Sequence, residues 1–432
     1  MILALAAVTL LVWRPWRRDK RPNIVVIVAD TLRADHLPFY GYDRIETPYL
    51  SGLAGRSILF KHAWSTSSWT APATASLFTS LYPFQHGVIH NFRSRIPEEA
   101  VTLAEILKES GYRTFGVSLN IMVSNALKFD QGFDRFVTIL DKKNAEYATR
   151  QLLKWEKEIK ESSPYFVYIH YMDCHRPYPR WAPWYRKQAE YFDDLLAAYD
   201  SSISYLDDQI RRLAERFNWK QNTLIVFTSD HGEEFMEHGR QGHGVALFRE
   251  TIQVPLMFHL PDGSDSRKVQ DNVSLVDVLP TIREILGLPQ DPAGAGRSLA
   301  DFWRDGAAAP QDRYIFSHLV RLVKRGNKKD RFRLVKLREI GNTAIKSSVA
   351  RAVISGKWHM ISTIFPEQQL LYDWQADPLE TSDVWQEELI RAHRLKEYFL
   401  EFEAHSRKFR PDIKLIDLDA DKIRELKTLG YL

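Results

Sequence analysis

From residue 23 onward the chain alternates short apolar runs with amphipathic stretches, the pattern of a layered α/β domain. "NIVVIVA" (23–29) is a continuous β-branched run, as expected of a strand covered on both faces. "YRTFGVS" (112–118), "PYFVYIHY" (164–171) and "TLIVFTS" (223–229) read the same way. Leu196, Tyr199, Ile203, Leu206, Ile210 and Leu213 recur at spacings of three and four and predict a long helix between the last two strands. "VTLAEILKESG" predicts a second helix, stopped by Gly111. Past about residue 300 the texture changes. "DGAAAPQ" (305–311) reads as a linker, followed by strand-like "DRFRLVKLREI", "RAVISGKWHMIST" and "QQLLYDW" and a helical tail from about Asp383. That is a small antiparallel sheet over 312–432, set after a larger domain over 22–304.

The polar residues punctuate this pattern in one place. Asp30, Asn120, Asp173 with His175, and Asp230 with His231 each follow one of the four buried strands. Ligands of open α/β sheets bind beyond the carboxyl ends of the strands, so these groups are expected on one rim. Asp230 and His231 offer a carboxylate and an imidazole from one turn, a pairing that suits Zn²⁺ or Mn²⁺ better than Ca²⁺. Gly232 behind them permits a close backbone approach. In "SSWTAPATASLFTSLYP" (67–83), Pro72 fits a first helical turn and Thr70 is expected as the N-cap. A hydroxyl there serves as a plain cap, or, beside a metal ion, as a nucleophile.

Charge removes some function classes. Arg14 to Arg21, "RPWRRDKR", holds five basic residues and one acid. The remaining 54 basic and 54 acidic residues balance, out of 59 and 55 in all. Broad attraction to nucleic acid is therefore not expected. At 44% hydrophobic with 20 glycines and 20 prolines the chain is globular. Its lone cysteine, Cys174, excludes an internal disulfide and reads as a small buried apolar residue. The first 13 residues, "MILALAAVTLLVW", are apolar but short for a spanning helix. With the basic run after them, residues 1–21 are expected to be an uncleaved membrane anchor. The positive-inside rule would then keep the body cytoplasmic. The basic alternation of Arg331, Arg333 and Lys336 with apolar neighbours reads as an edge strand guarded against aggregation, or as a face toward anionic headgroups.

Taken together, "VIVADTLRADHLPFYGY", "TAPATASLFTSLYPFQHGV", "HYMDCHRPYP", "TSDHGEEFMEHG", "GHGVALFRETIQVPL", "SLVDVLPTIREILGLP", "LLYDWQADPLETSDV" and "LKTLGYL" resemble, in order, the motifs of the sulfatase branch of the alkaline phosphatase superfamily. The resemblance implies a large mixed central sheet flanked by helices, an anionic phosphoester or sulfate ester substrate, and an exported location. It places Thr70 at the nucleophile and metal-ligand position, and Asp30, Asp230 and His231 at metal ligands. His175 and His243 fall where the family contacts the transferred group or protonates the leaving group. Asn120 faces the substrate oxygens, and Asp173 and His238 stand behind.

The departures from that pattern direct the chemistry. Sulfatases use a formylglycine made from Cys or Ser, which threonine cannot give. Thr74 replaces the motif's arginine, Ala29 precedes Asp30 where a second Asp is usual, and His231 stands where calcium sulfatases carry Asn. These changes favour one transition metal ion, zinc or manganese, and direct attack by Thr70 on a phosphoester, with hydrolysis or transfer to follow. Asp173 and His175 are two apart, whereas the two-zinc members space such a pair by four, so a second ion is not expected. The alternatives are a sulfatase working without formylglycine and a membrane-anchored binding protein without catalysis. The aromatic segment 174–192 is expected to line the substrate pocket.

Overall fold

The computed structural model describes residues 21–91, 94–140, 144–261, 266–303, 313–323, 335–336, 346–364 and 367–406. Residues 1–20 of the expected anchor, the linker 305–311, Arg331 and Arg333 of the basic alternation and the terminal "LKTLGYL" lie outside them. Among the described residues no helix is long and apolar enough to cross a membrane.

The β-branched runs become strands within a residue of expectation. In chain order the strands are β1 (Asn23–Ala29), β2 (Ile58–Trp64), β3 (Arg113–Ser118), β4 (Arg135–Thr138), β5 (Tyr165–Tyr171) and β6 (Thr223–Thr228). The two-residue pieces β7 (Glu234–Phe235) and β8 (Gln241–Gly242) follow, then β9 (Gln253–His259) and β10 (Arg267–Ser274). Eight strands form one sheet in the order β10-β2-β9-β6-β1-β5-β3-β4. β9 runs antiparallel to both its neighbours, and the remaining pairs are parallel. The sheet is therefore mixed, as the resemblance implied.

β1 explains why the run is apolar at every position. Ile24, Val26 and Val28 enter one core with Ala71, Ala75 and Phe78. Val25, Ile27 and Ala29 enter the other with Tyr199, Ile203, Leu206, Ile210 and Leu213. The helix Thr70–Thr79 thus covers one face and Tyr191–Arg216, which contains the predicted periodic residues, covers the other. All ten residues of Thr70–Thr79 are buried, which its run of alanines and small hydroxyl residues permits.

A second, antiparallel sheet contains β11 (Ile315–Val323), β12 (Val335–Lys336), β13 (Lys346–Ser355), β14 (Trp358–Ile364) and β15 (Glu367–Asp373), before the helix Leu389–Ser406. β11 braces the loop ahead of Thr70: His318 N donates to Thr66 O (2.8 Å) and Ser317 Oγ to Ser65 O (2.6 Å). Asp277, fully buried, takes both nitrogens of Arg313 at 2.5 and 2.6 Å and the backbone N–H groups of Ser274 and Arg297. Removing one partner of such a pair leaves a buried charge uncompensated. Arg313→Met is expected to cost about 3–5 kcal/mol in denaturant melts. Adding Asp277→Asn should restore part of that loss, and a single variant as stable as wild type would show the pair to be dispensable.

Candidate active site

β6, β1, β5 and β3 are adjacent and parallel, so their carboxyl ends share one rim. Asp30 follows β1, Asn120 follows β3, His175 follows β5, and Asp230 and His231 follow β6. Each of these five side chains is buried to within 2%. The helix Thr70–Thr79 delivers Thr70 to the same point. Thr70 is its first helical residue rather than the expected N-cap, which is Trp69 (φ −132°, ψ 139°). The capping task falls to Asn91, whose Oδ1 accepts from Ala71 N at 2.8 Å. The Thr70 hydroxyl is thereby released from the backbone. Its Oγ1 lies 3.3 Å from His231 Nε2 and 3.5 Å from Asn120 Nδ2.

Hydrogen bonds fix which atoms face the centre. His231 Nδ1 lies 2.9 Å from Gly232 O, a carbonyl that only accepts, so Nδ1 carries the proton and Nε2 offers a lone pair. Asp30 Oδ2 takes Asn120 Nδ2 at 2.5 Å and His170 Nε2 at 3.1 Å. Because that oxygen accepts, His170 Nε2 is protonated and its Nδ1 receives the Tyr168 hydroxyl at 2.8 Å. Asp230 Oδ1 takes His231 N (2.9 Å) and Thr31 N (3.4 Å). The two remaining oxygens, Asp30 Oδ1 and Asp230 Oδ2, are buried with no hydrogen-bond partner among the described residues. They stand 3.8 and 3.5 Å from His231 Nε2.

Three oxygens thus surround His231 Nε2: Thr70 Oγ1 at 3.3 Å, Asp230 Oδ2 at 3.5 Å and Asp30 Oδ1 at 3.8 Å. Their separations from Nε2 match the ~3.4 Å between ligands of a tetrahedral ion with ~2.1 Å bonds. Two buried carboxylate oxygens left unpaired are costly unless a cation joins them, so the residues fit a divalent ion. His170 also lies within ligand range of Asp30 and Asp230. Its Nε2, however, is engaged with the paired oxygen of Asp30, which makes it a brace for that carboxylate. Burial pushes Asp230 up to about 7, with the Asp30 charge adding to it. Asp30, against the same burial, is held well below the usual range by the His170 hydrogen bond and the charges of His175, His231 and His170.

The other expected residues divide. His175 and His243 belong to the site: their rings are 5.0 Å apart, and His243 is 4.5 Å from the His231 ring. Burial lowers both, His243 to about 4. Gly232 meets its expectation, since a Cβ there would come within 2.0 Å of the Glu250 carbonyl. Asp173 and His238 do not stand behind the site. Asp173 Oδ1 accepts from Ala145 N (3.0 Å), at the start of the helix Ala145–Lys154. His238 stacks on Phe248 at 3.6 Å and meets Glu250 Oε1 (2.9 Å) and the Glu380 carbonyl (3.3 Å), at the seam with the second sheet. Of the aromatic segment, Trp181 is stacked on Tyr205 at 3.8 Å, while Trp184 and Tyr191 stay exposed.

Three residues beside the site escaped the sequence: His170, Asn91, and Glu233, whose Oε1 lies 3.0 Å from His243 Nδ1. Asn91 is wholly buried beside Thr70, and its Nδ2 has no partner among the described residues. Its only sequence signal is a polar residue in a loop 21 positions after Thr70.

Burial raises Asp173 to about 7, and its Oδ2 has no partner among the described residues. The folded chain then keeps a proton that the unfolded chain releases near 4, so this residue's contribution falls as pH rises from about 4 to about 7. Asp173→Asn keeps the acceptor for Ala145 N and lacks that penalty. It should gain on wild type by about 2–4 kcal/mol between pH 4 and 8 in urea melts. A difference that does not change with pH would overturn this.

The Sulfatase family model matches residues 22–288. An arylsulfatase of Hemicentrotus pulcherrimus is 22% identical over 384 residues, 74% of this chain and 68% of the relative. The low-salt glycan biosynthesis sulfotransferase Agl7 of Haloferax volcanii is 29% identical over 287 residues, 61% of each chain. Among solved structures, the phosphonate monoester hydrolase of Agrobacterium radiobacter superposes with a TM-score of 0.72 at 19% identity, over 89% of this chain and 96% of that one. A putative sulfatase of Bacteroides thetaiotaomicron gives 0.72 at 17%, over 91% and 95%. With the fold, a buried group fit for a divalent ion and a family match across the whole of the larger sheet, the chain belongs to the sulfatase family and is an ester hydrolase.

Proposed function

We propose that this enzyme cleaves phosphoesters, and diesters above all, through Thr70 as a covalent nucleophile. The observation that supports the reading is the approach of Thr70 Oγ1 to His231 Nε2 (3.3 Å), which itself stands 3.8 and 3.5 Å from the unpaired oxygens Asp30 Oδ1 and Asp230 Oδ2. These four hold the ion, zinc or manganese by the mixed carboxylate and imidazole donors. The ion supplies charge that favours the ionised hydroxyl and the anionic ester. His170 and Asn120 orient Asp30 (at 3.1 and 2.5 Å). Asn91 Nδ2 donates to an equatorial oxygen of the transferred group as charge gathers there. His175 and His243 flank the leaving side.

Phosphoester rather than sulfate follows from the threonine, which cannot become formylglycine, and is in keeping with the phosphonate monoester hydrolase among the structural neighbours. The names of the curated relatives favour sulfate, and the sulfotransferase among them favours transfer. One experiment separates these readings. The enzyme is incubated with bis(4-nitrophenyl) phosphate or 4-nitrophenyl sulfate, quenched in acid, and its Thr70 peptide is examined by accurate-mass spectrometry. A phosphoryl adduct supports the proposal, a sulfuryl adduct alone turns it to sulfate esters, and turnover without an adduct removes Thr70 as nucleophile. We further propose that residues 1–21 anchor the chain to a membrane with the enzyme on the extracytoplasmic side. Protease protection in intact cells would place the enzyme inside instead.

A further inference from the structure

We propose that Glu234, His238 and Glu250 form a second binding site for a divalent cation, zinc or manganese, at the seam between the β7–β8 ladder and the second sheet. One ligand atom from each of the three lies within 4.8 Å of the others. Glu234 belongs to β7, His238 to the turn between β7 and β8, and Glu250 to the helix Arg249–Ile252. None of them is among the four residues placed around the ion at the rim, and the inference does not depend on how Thr70 acts.

Glu234 and His238 each point to a cation. Glu234 is 2% exposed, and its Oε1 has no hydrogen-bond partner among the described residues, while Oε2 lies 3.4 Å from Arg240 Nε. A buried carboxylate oxygen without a donor is costly. Glu250, also buried, brings a second carboxylate within reach of it instead of a donor. His238 Nε2 lies 3.3 Å from the Glu380 carbonyl, which only accepts, so Nε2 carries a proton. The other nitrogen, Nδ1, faces Glu250 Oε1 at 2.9 Å. An outer N–H on a carbonyl and an inner nitrogen beside a carboxylate is the arrangement of a metal-bound histidine. A stack on Phe248 at 3.6 Å holds the ring in that direction.

The place is open to solvent on one side. Met236 and Gly239, in the turn that carries His238, are exposed, and a Cβ on Gly239 (φ +72°) would meet nothing within 4 Å. Three protein ligands leave a position for water, and two carboxylates with one imidazole suit zinc or manganese better than calcium. An ion held this way exchanges on dialysis, whereas the rim ion is enclosed by fully buried groups. The helix Arg249–Ile252 also backs the turn after His231, since Gly232 N donates to Thr251 O at 2.9 Å. An ion between Glu234, His238 and Glu250 therefore fastens that helix to the ladder.

The test titrates Zn²⁺ into the dialysed protein, which retains its rim ion, by isothermal titration calorimetry. Bound metal is counted in parallel by inductively coupled plasma mass spectrometry after equilibrium dialysis at sub-millimolar zinc. Wild type is expected to take up one further ion per chain and to melt at a higher temperature with zinc than without. Glu234→Gln removes the charge at constant volume, and Glu250→Gln keeps an acceptor for His238 Nδ1. Each should weaken the added uptake at least ~10-fold, abolish the rise in melting temperature and leave the retained ion in place. His238→Phe keeps a ring against Phe248 and makes the same comparison for the nitrogen. No uptake beyond the retained ion would show that a proton shared by His238 and Glu250 closes the cluster, and would overturn the proposal. Uptake that survives both glutamine substitutions would place the ion elsewhere and overturn it equally. Turnover lost or kept in Thr70→Ala bears on the Thr70 reading alone.

Discussion

Thr70→Ala is expected to lower kcat by on the order of 10⁴-fold or more, the loss seen when a nucleophile acting in concert with its neighbours is removed. The size follows from the site's economy of groups. Oγ1 lies within 3.5 Å of both His231 Nε2 and Asn120 Nδ2, and it makes no capping bond to its own helix. The alanine variant should therefore fold. Alanine is the stronger helix former, and the helix start stays capped by Asn91 Oδ1 on Ala71 N. Thr70→Ser keeps the hydroxyl, loses a methyl and gains rotamer freedom, so it should stay within about 10²-fold of wild type. Parallel steady-state assays and melting curves check both claims. Residual turnover above about 1% in a folded Thr70→Ala enzyme would transfer the chemistry to another group, water included.

What the sequence disclosed and what it hid have the same physical origin. Strands buried on both faces have no polar alternation, so β1, β3, β5 and β6 stand out as apolar runs, and the polar residues just after each mark the rim. That rule points to Asp30, Asn120, Asp230 and His231, which the parallel strands bring to one rim. It misplaced Asp173, because the first carboxylate after β5 faces the Ala145 amide and only the second polar residue, His175, enters the site. It could not find His170, which lies inside β5 and reads as one more strand position. Asn91 and Glu233 lie in a loop and in a charged run, where no period points to one side chain over another. Thr70 was found through its motif, while its exact helical position needed the backbone. A cap hydroxyl is committed to the backbone, and one residue further on it is free to face the centre.

The identity of the ion turns on one residue. In the proposed ligand set His231 supplies the one nitrogen, with its tautomer set by the Gly232 carbonyl (2.9 Å). Imidazole favours zinc and manganese, whereas an all-oxygen set favours calcium. His231→Asn substitutes an amide oxygen and is expected to weaken retention of zinc or manganese at least ~100-fold. After dialysis the ion content should fall from about one per chain to below about 0.1, as measured by inductively coupled plasma mass spectrometry. Added Ca²⁺ should then raise the melting temperature of the variant more than that of wild type. The direction follows because Asp30 and Asp230 still need a cation between their unpaired oxygens, and only the preference for it has changed. Unchanged zinc or manganese retention in His231→Asn would show that the ion sits elsewhere, with His170 the next group to test since it too lies within ligand range of both carboxylates.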